Sequence, residues 1–191
     1  MKRQTLLLAA LAALVALVAG CRPPYLIVRQ AMPNPFLRAQ NFSVEPIHFE
    51  GMLVGNETEE SWMARKTPEQ QASYQQDRQA MVDGFVERVA SRSPSMNIIA
   101  GPPPTPDTFI VRPHMVFLEP GFFAYFVNRA TRVRMNVQLL SQQGQVLDEF
   151  IVEDAVAANI YNPSTGGRMR TAAVHLANYV ARYLRDRTGA Q

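Results

Sequence analysis

Thr131-Arg-Val-Arg-Met-Asn-Val-Gln-Leu-Leu140 is the stretch that decides the fold. Val133, Met135, Val137 and Leu139 alternate with Arg132, Arg134, Asn136 and Gln138. A period of two, apolar on one side and polar on the other, predicts a strand of an antiparallel sheet with one wet face. Gln142-Gln143-Gly144 follows as a hairpin turn, with glycine available for a left-handed position, and Val146 to Ala158 returns as the next strand. Upstream, Phe109, Val111, Met115 and Phe117 alternate with Arg112 and His114, a further half-buried strand that Glu119-Pro120-Gly121 breaks. Together these segments predict a three-strand antiparallel meander.

Helical signals flank the meander. Thr67-Pro68-Glu69-Gln70 places threonine at an N-cap, proline at the first helical position and Gln70 where a capping box needs it. Tyr74, Met81, Phe85 and Val89, with Val82 and Val86 alongside, form the apolar stripe of that helix, which ends near Ser93-Pro94. Gly84 inside it reads as room for close packing. An earlier helix start is expected at Asn56, ahead of Glu57, Glu59 and Glu60. The last helix carries Met169, Ala172, Ala173, Leu176, Val180, Tyr183 and Leu184 on one side and Arg182, Arg185 and Arg187 near its end. Tyr25-Leu-Ile-Val28 and Phe42 to Phe49 read as two more strands, the second with a bulge or edge at Pro46. Ala100 to Pro106 reads as a stiff, proline-rich surface connection. The expected fold is α+β: a two-layer α/β sandwich, its sheet mostly antiparallel, with helices on one face.

The chain opens on a different kind of segment. Lys2 and Arg3 precede an apolar run, Thr5 to Ala19, that is short for a membrane span and suits the core of a signal peptide. It closes on Val18-Ala19-Gly20-Cys21, which resembles the bacterial lipobox, in which the cysteine is acylated before cleavage. The expected organisation is a lipoprotein signal peptide over 1–20, a lipidated tether over 21–24 and a single α/β domain over 25–191. Cleavage ahead of Cys21 removes 20 residues, leaves 171, and reduces the 19 Lys and Arg to 17 against 16 Asp and Glu. A surface so near neutrality excludes a nucleic-acid binder, which needs a basic face for phosphates. With its one cysteine acylated, the chain has no thiol for a disulfide, a thiolate metal site or a nucleophile.

Few residues point to chemistry. His48, His114 and His175 are far apart and lack metal-ligand spacing, so no metal or other cofactor is expected. There is no GxSxG elbow and no catalytic residue is assigned. Asp148, Glu149, Glu153 and Asp154 are read as solvating the outer sheet face, opposite Arg132 and Arg134. Ser164-Thr165-Gly166-Gly167 with Arg168 is a weak anion-site candidate ahead of a helix, against the plainer reading of an N-cap. Phe122, Phe123, Tyr125 and Phe126 put four aromatics into five positions. Facing outward they form a partner or membrane contact; tucked under a helix, two of the four are expected in the core.

Phe109 to Arg187 resembles a domain of bacterial envelope lipoproteins of uncharacterised function. The resemblance lies in Glu119-Pro120-Gly121-Phe122, the strand Arg134 to Leu140, Gly144-Gln145-Val146-Leu147 and the helix opened by Gly167-Arg168-Met169-Arg170. Similar small α/β domains occur in the curli-secretion lipoprotein and in the amino-terminal domain of the Tol-system periplasmic propeller protein. The resemblance implies a two-layer fold and a binding or assembly role, and it transfers no catalytic residues. The resulting expectation is a non-enzymatic module tied to a membrane by acyl chains on Cys21, facing the periplasm and meeting an envelope protein partner. Arg22, in place of the aspartate that often retains lipoproteins at the inner membrane, favours the outer membrane. The alternatives are an envelope hydrolase built on His48, His114, Asp148 or Asp154, and a carrier of an apolar ligand between sheet and helices.

Overall fold

The computed structural model describes residues 23–124 and 127–190. The leader and Cys21 lie outside the described residues, as do Tyr125 and Phe126. The alternating stretch forms β9 (Thr131–Leu140), with Val133, Met135, Val137 and Leu139 buried and Arg132 and Arg134 exposed. It pairs antiparallel with β10 (Val146–Val156) on one side and β6 (Phe109–Glu119) on the other, which is the expected meander. β1 (Tyr25–Arg29) adds antiparallel to β10. Beyond β6 the sheet turns parallel: β2 (Asn41–Val44) lies beside β6, and β5 (Asn97–Ala100) beside β2. A small hairpin, β3 (Leu53–Val54) with β4 (Glu57–Thr58), joins β6 further along. The main order is therefore β1-β10-β9-β6-β2-β5. The two longest ladders, β9 with β10 and β9 with β6, are antiparallel, and the fold is α+β.

Three helices accompany the sheet: α1 (Glu59–Met63), α2 (Pro68–Ser91) and α3 (Thr165–Thr188). α2 opens with the expected capping box: Thr67 accepts from the Gln70 backbone and Gln70 accepts from the Thr67 backbone. It buries Tyr74, Met81, Phe85 and Val89, so the helical stripe is the core face. α3 lies across β9 and β10 and against α2. Between the layers Phe150 stacks on Tyr183 with centroids 3.8 Å apart, and the Tyr25 ring meets Tyr183 edge-on at 5.0 Å. Leu176, Val180, Val152 and Met135 fill the same space with no exposure.

Four local expectations change. The second strand stops at Val44 rather than Phe49, because Pro46 lacks the N–H that a ladder needs; the chain then runs beside β6, touching it again at the His48–His114 bridge. The first helix starts at Thr58, which accepts from Ser61 N at 3.2 Å, because Glu57 and Thr58 are taken into a hairpin. A bulge between Met115 and Phe117 reverses the parity of β6, so Leu118 is buried and Phe117 is not. Gly84 faces open space, with nothing within 4 Å of where a Cβ would sit, so it serves no close packing.

Candidate functional site

The described residues on either side of 125–126 form a small sheet of their own. β7 (Phe122–Ala124) and β8 (Val127–Arg129) make a two-stranded antiparallel sheet that does not join the main one. Gly121 starts it at φ +63°, and a side chain there would overlap the Arg129 carbonyl and come within 2.7 Å of Ala130 C. Only glycine lets the two ends of the hairpin approach so closely. Phe122 is 47% exposed and Val127 61%, while Phe123 is partly buried. Neither Phe122 nor Phe123 is in the core; Tyr125 and Phe126, the other two of the four aromatics, lie outside the described residues. Across its base Arg129 pairs with Glu119 at 3.0 Å, and Thr131 Oγ1 donates to Pro120 O at 2.6 Å.

Arg168 secures this base from inside. It is fully buried and no carboxylate touches it. Its Nε donates to Thr131 Oγ1 at 2.8 Å, Nη1 to the carbonyls of Asn162 and Pro163 at 3.2 and 2.5 Å, and Nη2 to Pro120 O and Thr165 Oγ1 at 3.2 Å each. These five bonds use all five donors of a guanidinium. Burial without a counter-charge lowers the pKa of Arg168, and the five acceptors offset part of that desolvation. One side chain thus joins the hairpin base, the start of β9 and the loop before α3. In that loop Asn159 Oδ1 accepts from the backbone of Tyr161 and Asn162 at 2.9 and 3.0 Å, leaving Ile160 64% and Tyr161 90% exposed.

The weak anion-site candidate at Ser164 to Arg168 is taken up by these contacts, and the plainer N-cap reading describes it. Ser164 is the N-cap, accepting from Gly167 N at 3.1 Å. The Asp77 carboxylate is pressed against Gly166 and held by Arg170 at 2.5 Å, so the positive end of the helix already faces a negative group. With Arg168 turned inward, no donor of its guanidinium is left for an external anion.

The remaining titratable groups are split between the two faces of the sheet. Asp148 is fully buried on the helix side, correcting its placement on the outer face. It accepts from Arg187 Nε at 2.6 Å, Tyr183 Oη at 2.7 Å and Ala31 N at 2.8 Å. Burial first, then contact with Asp148, pushes the Tyr183 hydroxyl up. Asp154 meets His175 Nδ1 at 2.8 Å, and among the described residues that ring bonds nothing else. On the face away from the helices Glu153 pairs with Arg134, one of the cross-strand ion pairs the sequence implies, and Glu149 accepts from Asn136 at 2.6 Å. There too His48 contacts Glu45 at 3.2 Å, His114 bonds the Glu50 carbonyl at 2.7 Å, and Arg112 grips Glu45 with two bonds, of 2.6 and 3.0 Å. The Arg112 guanidinium holds the Glu45 carboxyl below its ordinary range. His48 and His114 line one cleft of about 290 Å³, while Phe117, Arg132, Arg134 and Glu153 line a larger one of about 770 Å³ on the same face. Asp148 and Asp154 do not converge on His48 or His114. Among the described residues no three His, Cys, Asp or Glu side chains are placed to hold a metal ion.

No protein-family model matches the chain, and no curated protein does either. Among solved structures it is similar to the PelC dodecamer from Paraburkholderia phytofirmans, with a TM-score of 0.45 and 6% identity over 82% of this chain and 97% of that one. A point variant of PelC in another crystal form gives a TM-score of 0.44 and 8% identity over the same shares. Both values lie below the level at which a shared fold follows, and they carry no shared role.

Proposed function

We propose that this chain is a lipid-anchored binding or assembly module of the bacterial cell envelope, non-enzymatic, held on the periplasmic side of the outer membrane through Cys21. The observation that carries the reading is the apolar hairpin: Phe122 and Val127 are exposed on a base that Arg168 ties, through Thr131 Oγ1 and Pro120 O, to the loop before α3. Exposed apolar side chains on a rigid mount make a contact element. The leader with its lipobox-like end supports the address, and Phe122, Phe123, Tyr125 and Phe126 are the proposed contact residues. The polar groups nearby hold the structure together and are not arranged as nucleophile, base and orienter. The bare sheet face, with its arginine-lined cleft, is the surface left for an envelope protein partner.

Fractionation of the native envelope combined with a photo-crosslinking residue at Gln138, on the bare face, tests the reading. Wild-type protein in the outer-membrane fraction, crosslinked at Gln138 to one envelope protein, is the expected result. Recovery as a soluble periplasmic protein without crosslinks contradicts it.

A further inference from the structure

The hairpin and the exit of the chain lie at one end of the sheet. β1 runs antiparallel to β10 with Tyr25 opposite Val152 and Arg29 opposite Glu149, so the chain before Tyr25 heads toward the Val156 end of β10. Val156 faces Thr131, and Arg132 faces Glu119. The hairpin rises between Glu119 and Thr131, and the Ile160–Tyr161 loop follows Val156. Pro23 and Pro24 line a cleft with Ile151 and Glu153, beside the edge of β10. Four strand positions, about 13 Å, separate the Tyr25 row from the Val156 row. The four residues from Tyr25 back to Cys21 reach at most about 14 Å. The length of chain up to Cys21 is thus enough for acyl chains there to reach the level of the hairpin base.

From this geometry we infer that the end of the molecule bearing Phe122, Val127, Ile160 and Tyr161 lies against the lipid bilayer as a second membrane contact beside the anchor. The inference rests on the proposed acylation of Cys21 and names the partner of the hairpin. Three properties fit a lipid surface. The exposed side chains are apolar or aromatic, the types that settle at the boundary between acyl chains and headgroups. The hairpin pairs its own strands, so part of its backbone is hydrogen-bonded before it meets lipid. Arg132, exposed one residue past the start of β9, has no ion pair among the described residues and stands where a lipid phosphate would sit. Arg168 bridges the hairpin base and the Ile160–Tyr161 loop, presenting both as one surface.

Tryptophan reporters test this on the full, acylated chain. Phe122→Trp and, separately, Val127→Trp are reconstituted into phosphatidylethanolamine–phosphatidylglycerol vesicles with brominated acyl chains. Met32→Trp, at the opposite end and 82% exposed, is the control, and wild type gives the Trp62 background. At least twofold stronger quenching at positions 122 and 127 than at 32 is expected. Equal quenching, or none, in protein that floats with the vesicles overturns the contact. A blue shift without lipid that grows with protein concentration assigns the surface to a second copy and also overturns it. Palmitate labelling of the same samples reads the anchor separately: unlabelled protein defeats the acylation, and quenching at 122 and 127 then still decides the lipid contact.

Discussion

Two buried arginines, Arg168 and Arg187, set the ends of the molecule, and they do so differently. Arg187 faces Asp148 in a buried ion pair, so removing one partner strands the other charge. Asp148→Asn is expected to cost about 3–5 kcal/mol in urea unfolding; a change under about 1 kcal/mol contradicts the pairing. Arg168 faces carbonyls and hydroxyls only. Arg168→Met takes a donor from five acceptors, of which Thr131 Oγ1 and Pro120 O still bond each other, while removing a desolvated charge, and a net loss of about 2–4 kcal/mol is expected. Tyr25 carries a pH signature. Burial and then its hydrogen bond to Asp186 raise its pKa from 10.0 to about 12. Because the folded value is the higher one, its contribution is full below pH 10 and is lost as pH rises through 12. Tyr25→Phe is expected to flatten that alkaline limb of stability, measured by urea unfolding from pH 9 to about 12. Strand alternation alone groups Asp148 and Asp154 with Phe150 and Val152; charge argued for the outer face. The cation that permits burial, Arg187, is 39 residues away in sequence, and nothing local announces it.

At the scale of elements, period and capping were the legible parts. The stripe of α2, the capping box at Thr67 and the alternation of β9 each state one requirement, and the fold meets all three. Thr67→Ala is expected to lower stability by about 1 kcal/mol, read by thermal unfolding. Gly84→Ala is expected to raise it by about 0.5–1 kcal/mol, since the site is helical and open. Gly121→Ala goes the other way, because the new methyl meets backbone that cannot yield. Illegible were the elements whose stability comes from distant partners. β5 is four residues long and parallel to β2, 56 positions earlier in register, so no hairpin turn marks it. The bulge at Val116 left no sequence sign that distinguishes it from regular alternation. The hairpin was visible as an aromatic run, but its exposure depends on the mount that Arg168 provides.

For the whole molecule, the sheet divides two environments. Among the described residues, helices cover one face and none covers the other, and the Val156 end gathers Pro23 and Pro24, the base of the hairpin and the Tyr161 loop. No helix among the described residues is long and apolar enough to cross a membrane. With that end on a bilayer, the strands stand away from the membrane and the bare face points sideways, open to a partner in the periplasm. The proposed anchoring in this arrangement depends on Cys21. Mass spectrometry of the mature amino terminus, from wild type and from Cys21→Ser, measures that dependence directly. The account predicts a wild-type chain that begins at an acylated Cys21, and a Cys21→Ser chain that keeps its leader. A wild-type chain that begins elsewhere, or at an unmodified Cys21, would contradict it.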